Sequence, residues 1–225
     1  MTGPRPVPAP VEGLWVTFEG GDGSGKTTQA ALLEMWLREQ GRAVVRTREP
    51  GGTEVGDLVR AIVLHHRGEV APRAEALLYA ADRAQHVATL VRPALARGEV
   101  VIQDRYLDSS VAYQGAGRVL DAAEIRELSL WAAEGALPDV TVLLDLDPAD
   151  ARRRLEADDK PFDRLEAEQA DFHERVRAAF LGLAVGEPDR FLVLDAARPV
   201  EELAAAVRAR VGDALGSPRG PRGRG

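Results

Sequence analysis

Short apolar runs alternate with longer mixed segments along this chain. The runs are LWVTF (14–18), AVVRT (43–47), EVVIQD (99–104), VTVLLDL (140–146) and RFLVL (190–194). Each is brief and bounded by Gly, Pro or a charged residue, the pattern of strands covered on both faces of a parallel sheet. Between them the apolar positions recur at helical spacing, which predicts helices over 26–40, 56–64, 72–96, 121–134, 149–157, 164–182 and 200–215. Leu77, Leu78, Ala81, Ala84 and Ala88 mark the longest, and Gly41, Gly98 and Gly135 sit where helices should stop. Strand–helix alternation of this kind predicts a doubly wound α/β sheet.

Composition narrows the picture. A chain of 225 residues suffices for one sizeable domain, placed here at 13–215. The Pro-rich residues 1–12 and the tail GSPRGPRGRG (216–225) have little to bury and are expected to be disordered. A net charge of −7 argues against coating a nucleic acid. The absence of cysteine excludes disulfides and thiolate metal sites. With no signal-peptide pattern and no run of membrane-spanning length, the expectation is a soluble cytoplasmic protein. Lys26 and Lys160 are the only two lysines among 29 cationic residues, so each marks a position where an ammonium is wanted.

Lys26 lies in Gly20-Gly21-Asp22-Gly23-Ser24-Gly25-Lys26-Thr27, which satisfies G-x-x-x-x-G-K-[ST] between a strand and a helix. The glycines let backbone N–H groups converge on phosphates, and the helix N-terminus adds partial positive charge. Lys26 is placed to bridge the β- and γ-phosphates of ATP, with Thr27 offering its hydroxyl to Mg²⁺ and Thr28 completing the loop. Asp104, closing the strand EVVIQD, is the second candidate Mg²⁺ contact.

Acceptor chemistry follows. Thr47-Arg48-Glu49-Pro50-Gly51-Gly52-Thr53 is a shaped turn after the second strand. Tyr79 and Arg83, four apart on one helix, pair an aromatic plane with a guanidinium and suit a nucleobase; His86 reads as a structural or surface histidine. Asp104 is followed by Arg105, not by a carboxylate that could position water. Two phosphate charges ~4 Å apart repel by roughly 4 kcal/mol at an effective dielectric near 20. A kinase with a phosphorylated acceptor must offset that repulsion, and Arg48, Arg73 and Arg105 are the cations nominated. The polar stretch 152–166, broken by Pro161, fits a flap that excludes water.

FEGGDGSGKTTQ, REPGGT, LLYAADRAQH, DRYLDSSVAYQG and DRLE, in this order, make the chain resemble the bacterial thymidylate kinases between about residues 14 and 213. The resemblance implies a three-layer P-loop kinase fold with strand order 2-3-1-4-5, transfer of a phosphoryl group from MgATP to the 5′-phosphate of dTMP, and a homodimer packed through helices. It implies that Asp22 meets the deoxyribose 3′-hydroxyl and organises the metal–phosphate cluster. Glu49, Tyr79, Arg83, Ser110 and Gln114 would contact the nucleotide, Tyr113 would lie under the sugar and disfavour a 2′-hydroxyl, and Glu166 would complete the metal site. Members of the family carry a transition-state arginine in the P-loop or in the lid. Position 23 is glycine here, which leaves Arg154, Lys160 and Arg164; the planar fork of Arg154 matches phosphoryl oxygens best. The alternatives are another small-molecule or nucleotide kinase, or an NTP-driven switch ATPase.

Overall fold

In the computed structural model, residues 13–118, 120–157 and 163–217 are described. Lys160 and most of both tails therefore lie outside the described residues. Strands β1 (Leu14–Glu19), β2 (Val44–Arg48), β3 (Val100–Asp104), β4 (Val140–Asp145) and β5 (Phe191–Asp195) form one sheet in the order β2-β3-β1-β4-β5. Every pairing is parallel, with Val16 opposite Ile102 on one side and Val140 on the other. The α/β class is the one that the strand–helix alternation predicts, and the sheet order is the one that the family resemblance implies.

Helices cover both faces: α1 (Lys26–Glu39), α2 (Glu54–His65), α3 (Pro72–His86), α4 (Arg92–Ala96), α5 (Leu107–Ser110), α6 (Ala122–Ala132), α7 (Pro148–Ala157), α8 (Ala170–Gly186) and α9 (Val200–Gly216). The two-residue period of β1 divides the core. Leu14, Val16 and Phe18 pack with Leu33 and Leu37 of α1 and Val207 and Val211 of α9. Trp15 turns the other way, onto Val91, Val101, Tyr106 and Leu107. Thr17 and Glu19 share that second face and are also fully buried, so this face turns polar toward the C-terminal ends of the strands. Ligands bind at those ends in open α/β sheets.

Three elements differ from the periodicity. The helix expected over 72–96 contains a π-helical turn, Val87–Val91, because Pro93 cannot donate to the carbonyl four residues back and its ring crowds it; Arg92 N–H reaches Val87 instead. Residues 107–117, to which periodicity assigns no element, form α5 and a π-helical segment, Val111–Gly117. Ser109-Ser110 and Gly115 read locally as loop formers, yet the segment is buried almost throughout, and packing overrides propensity. The helix expected from 164 begins at Ala170, because the Asp163 carboxylate accepts from the backbone N–H groups of Leu165 (2.8 Å) and Glu166 (2.9 Å) and closes a turn first.

Candidate active site

The glycine loop joins β1 to α1. A Cβ at Gly20 (φ 128°) would lie 2.4 Å from the Leu144 carbonyl oxygen, and one at Gly23 (φ 75°) 2.7 Å from that of Ala151. Both positions are left-handed and crowded, so only glycine fits. Lys26 is buried and donates to the Gly20 (3.2 Å) and Gly21 (2.8 Å) carbonyls, folded back along the loop, with Asp22 3.9 Å away. Burial pulls its pKa below the usual lysine range and Arg105 adds to this, opposed by Asp22, Asp104 and Glu19. The Ser24 hydroxyl is buried with no hydrogen-bond partner.

A cavity of about 570 Å³ opens over this loop. Asp22–Gln29 line it together with Arg48, Asp104, Arg105, Arg154 and Glu166. Thr27 Oγ1 donates to Asp104 Oδ2 at 3.2 Å, so two hard oxygen donors meet at the cavity wall. That pair suits Mg²⁺, which takes few protein ligands and keeps water and phosphate oxygens around it. Among the described residues no cluster of three or more His, Cys, Asp or Glu side chains forms a closed metal cage.

A second cavity, about 80 Å³, adjoins the first through shared Asp22, Glu49, Arg60 and Arg105, and Tyr79, Arg83, Ser110, Tyr113 and Gln114 complete it. Arg105 is its hinge. At φ 66° it is one of two non-glycine residues in the left-handed region among those described, which turns its side chain back under the loop. Its guanidinium donates to Asp22 Oδ1 (2.5 Å), the Gly20 carbonyl (3.1 Å) and Ser109 Oγ (3.1 Å), and lies 5.0 Å from the centre of the Tyr113 ring. Burial works to raise the Asp22 pKa, but Arg105 and Lys26 outweigh it and hold the carboxyl at about 2. Asp22 is an anion wedged between the two cavities.

Arg83 is 1% exposed, and each of its nitrogens is used: Nε on Glu49 (3.0 Å), Nη1 on Ser129 Oγ (2.9 Å), Nη2 on Ser110 Oγ (3.1 Å). Glu49 also meets His86 Nδ1 (2.9 Å), whose Nε2 meets Thr47 Oγ1 (2.6 Å), so His86 is a buried structural residue. These contacts fix the guanidinium plane at the cavity edge beside Tyr79.

Of the arginines nominated as the phosphate clamp, Arg48 and Arg105 line the cavities. Arg73 does not: it is exposed on the first turn of α3 and is absent from both linings. In its place stands Arg60 of α2, which donates to the Pro50 carbonyl (2.9 Å) and borders both cavities. Burial and the neighbouring Arg48 charge lower its pKa, the mark of a cation held among cations. Arg60 was missed in the sequence because a lone arginine in an amphipathic helix looks like a solvated one. Of the lid candidates, Arg154 reaches the Gly23 (3.4 Å) and Ala196 (2.9 Å) carbonyls beside the loop. Arg164 turns away, pairing with Glu75 and donating to the Val63 carbonyl (2.9 Å). Glu166 borders the large cavity, its carboxylate accepting from Asp163 N–H (2.8 Å).

Glu19 was also missed. Fully buried one residue before the loop, it accepts from Tyr106 N–H (2.7 Å) and Ser109 Oγ (2.6 Å). Burial and the nearby Asp108 push its pKa up to about 8. The loop after β5 contributes Ala196 and Arg198 to the wall of the large cavity, another contribution no motif announced.

Comparison with known proteins gives a consistent result. The family model described as thymidylate kinase matches residues 18–207. Thymidylate kinase from Leifsonia xyli subsp. xyli is 72% identical over 205 residues, covering 91% of this chain and 97% of its own. The Deinococcus radiodurans thymidylate kinase is 53% identical over 202 residues, covering 90% and 98%. A crystal structure of thymidylate kinase from Ehrlichia chaffeensis superposes with a TM-score of 0.72 at 31% identity, over 89% of this chain and 99% of that one.

Proposed function

Since this chain belongs to the thymidylate kinase family, we propose a division of labour among its residues for the family's reaction. The enzyme transfers the γ-phosphoryl group of ATP to the 5′-phosphate of dTMP, giving dTDP and ADP. The large cavity takes ATP, with Gly20–Gly25 and the N-terminus of α1 around the phosphates and Lys26 swinging from its carbonyls to the β- and γ-oxygens. Thr27 and Asp104, with Glu166 lining the same cavity, would hold Mg²⁺, which neutralises phosphate charge when bound. The small cavity takes dTMP: Tyr79 against the base, Arg83 at its carbonyl edge, Ser110 and Gln114 alongside, Tyr113 beneath the sugar and Asp22 at the 3′-hydroxyl.

The observation that carries this reading is that the two cavities meet at Asp22, Arg60 and Arg105. Donor and acceptor phosphates brought to that junction repel, and Arg48, Arg60 and Arg105 supply the opposing charge. No covalent intermediate is needed: in-line transfer proceeds by positioning and charge stabilisation. Arg154, reaching from α7 to the loop carbonyl, is the residue assigned to the charge that grows during transfer. ADP release in a coupled assay with MgATP should be strong with dTMP, weaker with dUMP and near zero with dCMP, dGMP, dAMP or no acceptor. Release indifferent to the monophosphate would remove the acceptor assignments and return the switch-ATPase reading.

The enzyme is further proposed to work as a cytoplasmic homodimer. No described helix is long and apolar enough to cross a membrane. Large apolar side chains are exposed on three helices that pack in succession: Leu58 and Ile62 on α2, Leu77 on α3 and Trp131 on α6. A second copy of the chain is the proposed cover, and light scattering should return twice the 24.2 kDa chain mass. A monomer at micromolar concentration would exclude it.

A further inference from the structure

Glu75 belongs to none of the motifs above, yet its carboxylate is fully buried on the first turns of α3. Oε1 accepts from Gln114 Nε2 at 2.9 Å and, more weakly, from Arg118 Nε at 3.4 Å. Oε2 pairs with Arg164 Nη2. Arg118 extends the cluster by pairing with Glu168 through its Nη1, and Arg164 adds Val63 O (2.9 Å) through Nε and Leu64 O (3.4 Å) through its backbone N–H. One anion thus meets two guanidinium groups and an amide, a balanced arrangement in which removing the anion leaves cations uncompensated.

What the cluster joins gives it a role. Gln114 lines the small cavity from the π-helical segment, while Asp163 and Leu165 line it from the turn at 163–168. Tyr79, one turn along α3 from Glu75, lines it as well. Three walls from three separate stretches of chain converge on the same carboxylate.

We propose that Glu75 is a positioning residue for the acceptor nucleotide: it orients the Gln114 amide toward the cavity and, through Arg164 and Arg118, pins residues 163–168 as its opposite wall. The proposal rests on the small cavity being the dTMP site. Glu75 touches neither substrate nor the reacting phosphates; it acts through the groups it holds. Its effect therefore falls chiefly on acceptor affinity: the ATP cavity contains none of Glu75's direct partners and meets the pinned turn only at Glu166, whose carboxylate is held separately by the Asp163 N–H.

The test is steady-state kinetics on Glu75→Gln, which keeps the shape and removes the charge. KM for dTMP should rise about tenfold or more, with KM for ATP within about twofold of the parent enzyme. Gln114→Ala should raise KM for dTMP too, and the double variant should be no worse than Glu75→Gln alone, because the two changes break one network. A residue that served only the fold would lower the thermal midpoint and the active fraction without separating the two KM values. Equal shifts in both KM values, no shift in either, or effects that multiply in the double variant would each overturn the proposal. Should Glu75→Gln not fold, Arg118→Gln and Arg164→Gln each remove one donor and should reproduce the dTMP-selective rise; its absence in both would likewise overturn it. The parent enzyme is the control: if it shows no dTMP-dependent ADP release, the assignment of the cavity falls, whereas a responsive parent with an unselective Glu75→Gln removes the positioning role alone.

Discussion

Arg105 stands at the electrostatic junction of the site. It pins Asp22 as an anion, touches the loop at Gly20 and ties α5 to both through Ser109. Arg105→Ala should cut kcat/KM for dTMP on the order of 10²-fold or more, while ATP affinity, measured by titration without acceptor, changes less than about threefold. Equal losses for both ligands would dissolve its role at the acceptor phosphate. Arg154 permits a sharper comparison, because its neighbour in the lid, Arg164, is committed to Glu75. Arg154→Ala should lower kcat by on the order of 10³, the usual worth of an arginine that meets transferring phosphoryl oxygens, with KM for dTMP little changed. An Arg154→Ala enzyme with undiminished kcat would pass the role to Lys160.

At the scale of elements, the contact between the glycine loop and α7 explains why position 23 carries no side chain. The Ala151 carbonyl closes the space a Cβ would need, and the Gly23 carbonyl accepts from Arg154 on the same helix. Gly23→Ala should therefore push α7 off the loop and carry Arg154 with it. The expected result is a fall in kcat with a stability loss of about 1 kcal/mol from the left-handed backbone, read by chemical denaturation beside the coupled assay. Retention of full kcat would mean that α7 does not depend on this approach. The segment after β3 is built on a similar dependence: Glu19 at the end of β1 accepts the Tyr106 N–H and the Ser109 hydroxyl, so the entry to α5 is set by the sheet.

For the molecule as a whole, buried carboxyls give stability a predictable slope with pH. Folding raises the pKa of Glu19 from an ordinary 4.5 to about 8 and that of Asp82 from 3.8 to about 7, burial being the first cause in both, followed by Asp108 and Glu49 respectively. A raised acid holds its proton more tightly folded than unfolded, so its stabilisation is complete below the ordinary value and is lost as pH climbs to the folded one. The thermal midpoint should thus decline from about pH 5 to pH 8, and Glu19→Gln should flatten the upper part of that decline. A wild-type midpoint constant over this range would contradict the buried, protonated state. Asp22 has the opposite sign: held at about 2, its contribution is present above its ordinary 3.8 and is lost only as pH falls through that interval.

Strand–helix alternation, the glycine loop, the Tyr79–Arg83 pair and Asp104-Arg105 were all legible in the linear chain, because each depends on period, spacing or turn chemistry within a few neighbours. The strand order came only from the family resemblance, since which strands pair is not a local property. Residues 107–117 were not legible, since serine and glycine locally favour loops and only burial against α6 and α8 makes them helical. Arg73 on α3 and Arg60 on α2 show the same limit for charge: nothing local in the sequence separates them, and only the packing of α2 over the Pro50 turn brings Arg60 to the cavities. Glu19 and Glu75 were silent for a related reason. A buried acidic side chain acquires its meaning from partners such as Ser109, 90 residues away, or Arg164, 89 away. The sequence alone thus determined the α/β class and the phosphate-binding loop, which rest on period and turn chemistry repeated along the chain. Tertiary structure alone decided which cations face the phosphates and which anions hold the walls, because burial and charge pairing belong to residues distant in the chain and adjacent in space.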